Sequence, residues 1–460
     1  MTFCRKIIIY LLVLVIFSCA RFRTRTEIDD DLTSYLAKGE YTLALQKTDN
    51  FKEEEVYRKK DRVLYDLNKG MILHYQGDFK ASNEQLEIAE RAMEDLFTRS
   101  ISNAVKSMMI NDNMLDYTGE VYDNLYVNIF KALNYIQMND FENAYVEINR
   151  VNDKLRALAV KYGEWVAQVN QADTTGIKMA NKRMFYYENV LSHYLSYLVY
   201  RFWREIDNSR ISYDKIFRAR NFYPRVYDFP APQFLLTESS LDSAYLNIIS
   251  FTGRAPRKYP VGGEITTFDD FIVVTDVSGR KETIAMVMPG LEEGLHFKFA
   301  FPELRPEPSV VQRIEITVQD GITDTLELME DLGKVAEYTF ETKKNIIYFK
   351  TITRSVVKGL AAIKAKDKLQ DETKTKDKFI WRNLINLGVD AIFDATENPD
   401  LRVCSAFPRL CFTGEIPLKP GKYQIKVTYY GYDNTRLWEE NHPDFTIKKG
   451  INLLETVYLN

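Results

Sequence analysis

The stretch that most constrains the fold runs from Asn111 to Arg150, where two apolar stripes at helical spacing flank a polar break at Asn139 and Asp140. The first stripe consists of Leu125, Ile129, Ala132, Leu133 and Ile136, and the second of Phe141, Ala144, Tyr145, Ile148, Val151 and Leu155. Two amphipathic helices joined by so short a turn must lie antiparallel and face to face. This pattern is typical of a tetratricopeptide-like (TPR-like) hairpin and favours a binding protein over an enzyme.

The turn of this hairpin carries a short motif that recurs earlier in the chain. It reads small or polar residue, acidic residue, aromatic residue, two variable residues and a small residue, and its copies begin at Gly39, Gly77 and Asn139. Their spacing is irregular because residues 98–118 are inserted before the third copy. We predict a fourth helix pair over residues 183–220, broken at Asp207 and Asn208, and a TPR-like helical domain over residues 28–225.

The first eighteen residues are predicted to be a signal peptide. Arg5 and Lys6 precede an apolar run over residues 7–17, which is too short to span a bilayer comfortably. The run ends at Ser18-Cys19, in a pattern that resembles a bacterial lipobox. The resemblance implies cleavage before Cys19 and lipidation of its sulfur, with residues 19–27 as a lipidated tether. The alternative is an ordinary signal peptide with Cys19 near the cut.

Several acyl chains on one cysteine would hold the protein permanently on a membrane, because each buried methylene contributes about 0.8 kcal/mol. Ala20, rather than an acidic residue, follows Cys19. In lipoproteins of this kind such a residue is compatible with transfer to the outer membrane. We therefore expect a cell-envelope protein, anchored in the outer membrane and facing the periplasm.

The second half of the chain changes to period-two alternation, so we predict an α+β fold. A β-rich domain is expected over residues 233–350, with strands at 244–251 and 297–301 and a hairpin at Asp320-Gly321. A long helix should begin near Asp331. Helices with a charged loop at 364–378 should cover residues 351–395, and a small β-sheet module residues 396–460, where Tyr423, Ile425, Val427 and Tyr429 alternate with polar residues.

Composition excludes several classes of site. The 61 basic and 65 acidic residues give a formal net charge of −4, which leaves no nucleic-acid footprint. Four isolated histidines, without paired Cys/His spacing, predict neither a metal nor another cofactor. Cys404 and Cys411 are the only cysteines beyond Cys19, so one disulfide is possible if the segment between them turns back.

Three stretches of the chain resemble a family of uncharacterised bacterial envelope lipoproteins with a TPR-like N-terminal half. The first comprises Asn111-Asp112, Tyr117-x-Gly119-Glu120 and the hairpin that follows to Arg150. The second is residues 253–258 (GRAPRK). The third comprises Asp400-Leu401-Arg402, Pro408 and Pro420-Gly421-x-Tyr423. The similarity extends over most of the mature chain. Cys404 replaces the family's tryptophan, and Asn149 replaces the first of its paired arginines. The resemblance implies an envelope location and helical repeats, but no activity.

The sequence places a partner-binding face on the hairpin and the loop before it. Its residues are Asn111, Asp112, Tyr117, Glu120, Asn128, Lys131, Tyr135, Glu147 and Arg150. Asn128, Lys131 and Tyr135 share one polar side of the first helix, and TPR-like arrays bind partners through such a face. A structural clasp, in which these groups only satisfy one another, is the alternative.

Our leading hypothesis is therefore a non-enzymatic scaffold or assembly factor that contacts other envelope proteins, with its oligomeric state left open. Two alternatives remain. The first is a hydrolase or transferase of envelope polymers that uses Glu120 and Glu147. The second is a ligand receptor with its pocket between the two halves of the chain.

Overall fold

A computed structural model describes residues 25–102, 110–172, 186–236, 244–268, 271–276, 283–287, 296–341, 343–344, 347–348, 350–355 and 398–460. The signal peptide, Cys19 and the charged segment 364–378 with the helix predicted after it lie outside these residues. Helices come first and strands second, which confirms the α+β prediction. Within the described ranges, no helix is both long and apolar enough to cross a bilayer.

The described part of the helical half contains four antiparallel hairpins, in which each odd-numbered helix packs on the even-numbered helix that follows. The helices are α1 (Arg25–Ala37), α2 (Tyr41–Glu53), α3 (Arg62–Tyr75), α4 (Phe79–Ser102), α5 (Val121–Gln137), α6 (Phe141–Ala172), α7 (Val190–Trp203) and α8 (Ile206–Phe222). The hairpin predicted around Asn139 is confirmed. The break in the fourth pair lies at Arg204 and Glu205 instead of Asp207 and Asn208, because Arg204 takes a left-handed φ of 61° that ends α7.

The recurring motif builds the same helix-ending turn each time. At Gly39, Gly77 and Asn139 the backbone has positive φ. At Asn139, for example, the residue's N–H donates to Ile136 O at 2.9 Å, and the next N–H donates to Tyr135 O at 2.8 Å. This is the Schellman arrangement, and it explains the small or polar first residue of the motif. In the second and third copies the acidic residue then caps the next helix, as Asp140 Oδ1 does for the N–H of Asn143 at 3.1 Å, whereas Glu40 of the first copy makes no such hydrogen bond.

Twelve strands form three four-stranded sheets in the described part of the β half. The strands are β1 (Ala244–Thr252), β2 (Arg257–Phe268), β3 (Phe271–Asp276), β4 (Thr283–Val287), β5 (His296–Arg305), β6 (Arg313–Val318), β7 (Ile322–Thr325), β8 (Glu327–Asp331), β9 (Leu410–Leu418), β10 (Gly421–Tyr430), β11 (Arg436–Ile447) and β12 (Gly450–Tyr458). The sheet orders are β12-β1-β9-β8, β11-β10-β6-β7 and β4-β3-β2-β5.

The strands of residues 396–460 do not form the separate small sheet that we predicted. β12 pairs in parallel with β1, β9 pairs with both β1 and β8, and β10 pairs with β6. The first two sheets share an apolar core that includes Leu246, Ile248, Ile314, Ile316 and Val427. A boundary at residue 396 would therefore cut two sheets, because each needs strands from both sides of it.

The predicted hairpin at Asp320-Gly321 is confirmed, since β6 and β7 pair antiparallel across a 3₁₀ turn at Gln319–Gly321. The return strand divides there. β7 stays with β6, whereas β8 joins β9 in the neighbouring sheet. Helical residues follow β8 at 332–341 and again at 350–355, which agrees with the predicted start of a helix near Asp331.

The β half lies against the inner helices of the array. All nine residues of β1 are buried, because one face packs in the sheet core and the other meets the helices. Every odd-numbered helix contributes a polar contact to this junction. The pairs are Asp29 with Ser405, Asn68 with Ala406, Tyr126 with Glu330, and Arg201 with Glu415.

The two cysteines of the β half are free and buried, so the predicted Cys404–Cys411 disulfide is wrong in this structure. The Cys404 thiol is directed at α3, with its sulfur 3.4 Å from Asn68 Oδ1. Cys411 is held in β9, where it lies opposite Phe251 of β1. Cys404 therefore contacts a helix, whereas Cys411 lies within a sheet.

Candidate functional site

A cavity of about 360 Å³ opens between the helical array and the β half. Three stretches that are far apart in the chain meet in its wall. Residues 111–120 come from the loop before α5, Lys258 begins β2, and Asp400 precedes β9. These are the same stretches that carry the sequence resemblance. The fold therefore gathers the most distinctive parts of the sequence around one cavity.

Glu120 is the charged centre of the cavity. It sits directly before α5, and its two carboxylate oxygens accept hydrogen bonds from two lysines. Lys258 Nζ lies 2.5 Å from Oε1, and Lys343 Nζ lies 3.1 Å from Oε2. Burial alone would raise the pKa of Glu120, but the two ammonium groups outweigh it and hold the pKa below its usual value. Two cations thus share one carboxylate.

A second ion pair, between Lys350 and Asp112, lies in the same wall of the cavity. Lys350 donates to Asp112, whose backbone carbonyl also accepts from Arg402 at 3.0 Å. Arg402 forms further salt bridges with Asp400 at 2.8 Å and Asp61 at 3.1 Å. Burial raises the pKa of Asp400, but Arg402 outweighs that effect and lowers it to about 2. Arg402 thereby fixes the loop of residues 111–120 to α3 and to the chain before β9.

Tyr117 and Asp123 position Glu120. The Tyr117 hydroxyl donates to Asp123 Oδ2 at 2.7 Å, and the same oxygen accepts the backbone N–H of Glu120 at 2.8 Å. Burial raises the pKa of Asp123 to about 6, although these hydrogen bonds favour its charged form. The capping of α5 by Asp123 thus holds the Glu120 carboxylate towards Lys258 and Lys343.

The rest of the cavity wall is largely apolar, with contributions from Leu96, Phe97, Leu115, Tyr162, Pro302 and Ile347. The charged groups of the wall include both signs, since Arg99 and Arg354 join the three lysines, and the carboxylates are those of Asp112, Asp116, Glu120 and Asp400. An ammonium group has three N–H donors, and each of Lys343 and Lys350 has one acceptor described above. Counting only the described residues, each of these two lysines therefore keeps N–H donors that can serve a ligand with an anionic group and an apolar body.

Most of the predicted partner-binding face is buried, although the Arg150 side chain is 47% accessible and Asp112 and Tyr135 are half-buried. Asn128 and Lys131 are 0% and 2% accessible, so they are buried in the helix packing. Lys131 Nζ lies 2.6 Å from Glu87, 2.6 Å from Glu90 and 3.0 Å from Glu147. Asn128 donates to Glu90 and Glu147 at 2.9 and 2.6 Å. Carboxylates from α4 and α6 enclose this polar stripe, which corrects the expectation of an open face and favours the clasp.

The other residues predicted for that face fall into two groups, one around the cavity and one around Lys131. Arg150 joins the buried cluster through a 3.3 Å contact with Glu147. Asn111 donates to Asn398 O at 2.9 Å beside the cavity. Tyr135 is half-buried against the helical core. Asp112, Tyr117 and Glu120 belong to the cavity, so the structure divides the predicted set into a cavity group and a clasp group.

This division also removes the basis for a Glu120–Glu147 catalytic pair. Paired carboxylates that act on one glycosidic bond lie about 5 to 9.5 Å apart. Glu147 contacts Asn128, which lies more than two helical turns beyond Glu120, or about 12 Å along α5. Both carboxylates also form salt bridges with lysines. Within the described ranges, no cluster of three or more His, Cys, Asp or Glu residues could hold a metal.

Our sequence interpretation missed Lys343, Lys350 and Arg354 as cavity residues. One signal could have identified the lysines, because they lie seven residues apart in a predicted helix and so share a face. Their partners, Glu120 and Asp112, precede them by more than two hundred residues. No local pattern connects them.

No protein-family model matches the chain, and neither a curated protein nor a solved structure is significantly similar to it. The resemblance to envelope lipoproteins therefore stays a prediction. The function has to be argued from the cavity itself.

Proposed function

We propose that this protein is a non-enzymatic, membrane-anchored receptor of the bacterial cell envelope, and that its cavity binds a small amphipathic anion. The observation that carries the proposal is the cavity wall, where Lys343, Lys350 and Lys258 stand beside a largely apolar surface. Lysine ammonium groups pair with carboxylates or phosphates, and apolar walls favour a hydrocarbon body. The ligand class is therefore a hydrocarbon chain or ring with one acidic group.

The packing of the helices favours this receptor over a scaffold that uses the inner face of its repeats. TPR-like arrays hold partners on their concave side. Here the odd-numbered helices all contact the protein's own β half, and Phe130 of α5 packs against Phe251 and Phe407. A partner could reach that face only by displacing a large buried core.

The salt bridges of the cavity favour binding over catalysis. Both oxygens of Glu120 accept from lysines, and Asp400 is neutralised by Arg402. A carboxylate whose pKa is lowered in this way is a poor general base near neutral pH. These groups hold the cavity in shape and set its charge.

The experiment measures displacement of anilinonaphthalene sulfonate, a fluorescent apolar anion, from the full-length protein. Dodecanoate should displace the dye, whereas dodecanol should displace it much less, because only the first carries a charge. The double variant Lys343→Met/Lys350→Met should weaken dodecanoate binding by about tenfold or more, since a hydrogen bond to a charged group contributes about 1.5–3 kcal/mol.

Lys344→Met is the matched control, because Lys344 lies next to Lys343 in sequence but pairs with Glu341 at 3.2 Å. It should bind dodecanoate as the wild type does and keep its melting temperature. The double variant removes one cation each from Glu120 and Asp112 and should melt at a lower temperature, so its folding is checked by circular dichroism at the assay temperature. Equal affinity for dodecanoate and dodecanol, or equal weakening by Lys344→Met, would reject the proposed ligand class. Failure of the dye and of dodecanoate to bind the wild type would reject the receptor itself.

A further inference from the structure

A second cleft, of about 440 Å³, lies on another side of the molecule, where the turns after α1 and α3 meet β11 and β12. Aromatic side chains dominate its wall: Tyr41, Tyr75, Phe79, Trp438, Phe445 and Tyr458. Tyr41 and Phe79 are the aromatic residues of the first two copies of the turn motif. The helical repeat and the sheet edges thus contribute together to one aromatic surface.

Trp438 and Tyr458 are stacked in this cleft. Their rings are parallel within 3°, and their centroids are 6.0 Å apart, so the two rings overlap with a lateral offset. Trp438 is still 46% exposed, which is high for so large an apolar side chain. The exposed part of this ring offers a π face to a ligand.

The polar groups of the cleft suit hydroxyl groups better than an ion. Glu440 and Glu455 are the carboxylates, and Lys38 and the buried His74 are the cationic side chains. His74 Nε2 lies 2.6 Å from Glu455, so this carboxylate is already paired. Glu440 lies 3.1 Å from His442, and the Gln76 amide donates to Thr42 at 3.1 Å. A carboxylate and a primary amide each have further acceptor and donor positions, and both groups line the cleft, where these positions suit hydroxyl groups. Positive and negative groups are balanced, which favours a neutral ligand.

We propose that this cleft binds a neutral sugar ring of a glycan. The apolar C–H face of a pyranose lies on the exposed part of the Trp438 ring, which Tyr458 supports from the other side, and its hydroxyl groups hydrogen-bond to Glu440 and Gln76. An organic cation is the competing occupant, because aromatic cages also bind quaternary ammonium groups. Binding a cation would require an excess of negative charge in the cleft. Lys38 and His74 balance the charges of Glu440 and Glu455, so there is no such excess.

Isothermal titration of the full-length protein tests the site with trisaccharides of glucose, galactose, mannose and N-acetylglucosamine, and with choline as the cationic probe. At least one trisaccharide should bind with a Kd of the order of 1 mM or tighter. Trp438→Ala should weaken that binding by about tenfold, the scale of one aromatic stacking contact. Trp438→Phe keeps a ring and should lose less.

Tyr432→Ala is the control, because Tyr432 is an exposed aromatic residue outside the cleft. It should leave sugar binding unchanged, and melting temperatures should show that each variant is folded. If Trp438→Ala unfolds, Glu440→Gln and Trp438→Phe provide the test, and each should weaken binding. The proposal is overturned if no trisaccharide binds, if choline binds instead, or if Tyr432→Ala weakens binding as much as Trp438→Ala. None of these outcomes affects the lysine cavity, which is tested separately.

Discussion

At the scale of single residues, the protein buries charged groups in matched sets. Lys131 and Lys154 contact Glu90, whose carboxylate is almost inaccessible. Burial alone would raise the pKa of Glu90, but the two lysines outweigh it and lower the pKa to about 2. Each member of such a set depends on the others, because an unpaired buried charge is far more costly than a paired one.

The first prediction concerns Lys131. Lys131→Met should lower the free energy of unfolding by about 3–5 kcal/mol, because it leaves buried Glu90 and Glu147 without their shared cation. Urea denaturation of the purified protein measures this change. Lys80→Met is the control, since Lys80 is exposed on α4 and its loss should cost less than about 0.5 kcal/mol. Equal stability of the two variants would restore the interpretation of an open polar face.

The sequence could not reveal this burial. Asn128 and Lys131 follow a helical period, and polar residues on such a stripe normally face water. Their burial depends on Glu87 and Glu90 of α4 and on Glu147 of α6, which the packing brings together. The local pattern identified the stripe correctly, but only the tertiary packing decides whether a stripe meets solvent or another helix.

At the scale of elements, signals within a few residues were reliable. The turns at Gly39, Gly77 and Asn139 and the strands β1 and β10 lie where the sequence placed them. The turns are set by contacts between residues close in the chain, namely the Schellman hydrogen bonds. The pairing of β1 with β12 joins Ala244 to Gly450, and periodicity carries no information about so distant a partner.

The second prediction compares two helical glycines. An ideal Cβ at Gly70 in α3 would lie 2.6 Å from Leu86 Cδ2 of α4, whereas at Gly163 in α6 it would meet nothing within 4 Å. Gly70→Ala should therefore destabilise the protein by about 1–3 kcal/mol through overpacking. Gly163→Ala should stabilise it by up to about 1 kcal/mol, since alanine is the better helix former. Thermal unfolding of both variants measures whether the melting temperature falls for Gly70→Ala and rises for Gly163→Ala. Changes in the same direction would contradict the α3–α4 contact.

At the scale of the whole molecule, the two halves share one core. Glu330 of β8 accepts from Tyr126 of α5, from Asn189 before α7 and from Tyr227. Phe130 of α5 packs with tilted rings against Phe251 of β1 and Phe407. The helical array therefore forms a wall of the protein's own interior. Its junction with the sheets creates both the lysine cavity and the aromatic cleft.

The position of α1 relates this body to the predicted membrane anchor. Arg25 begins α1 and lies 3.3 Å from Asp29, and its guanidinium is 5.4 Å from the centre of the Tyr57 ring. Only five residues lie between Cys19 and Arg25, so the two are at most roughly 20 Å apart along a fully extended chain. If Cys19 is lipidated, the start of α1 must therefore stay close to the bilayer surface.

The last prediction follows from that short connection. Cys19→Ser should abolish labelling by a radioactive fatty acid and move the protein from the membrane fraction to the soluble fraction. Its melting temperature should stay the same, because the described contacts of α1, such as those of Arg25 with Asp29 and Tyr57, do not involve Cys19. Cys4→Ser is the matched control, since Cys4 lies in the predicted signal peptide and should leave labelling intact. A Cys19→Ser protein that is still labelled, or that stays on membranes, would show that the anchor lies elsewhere.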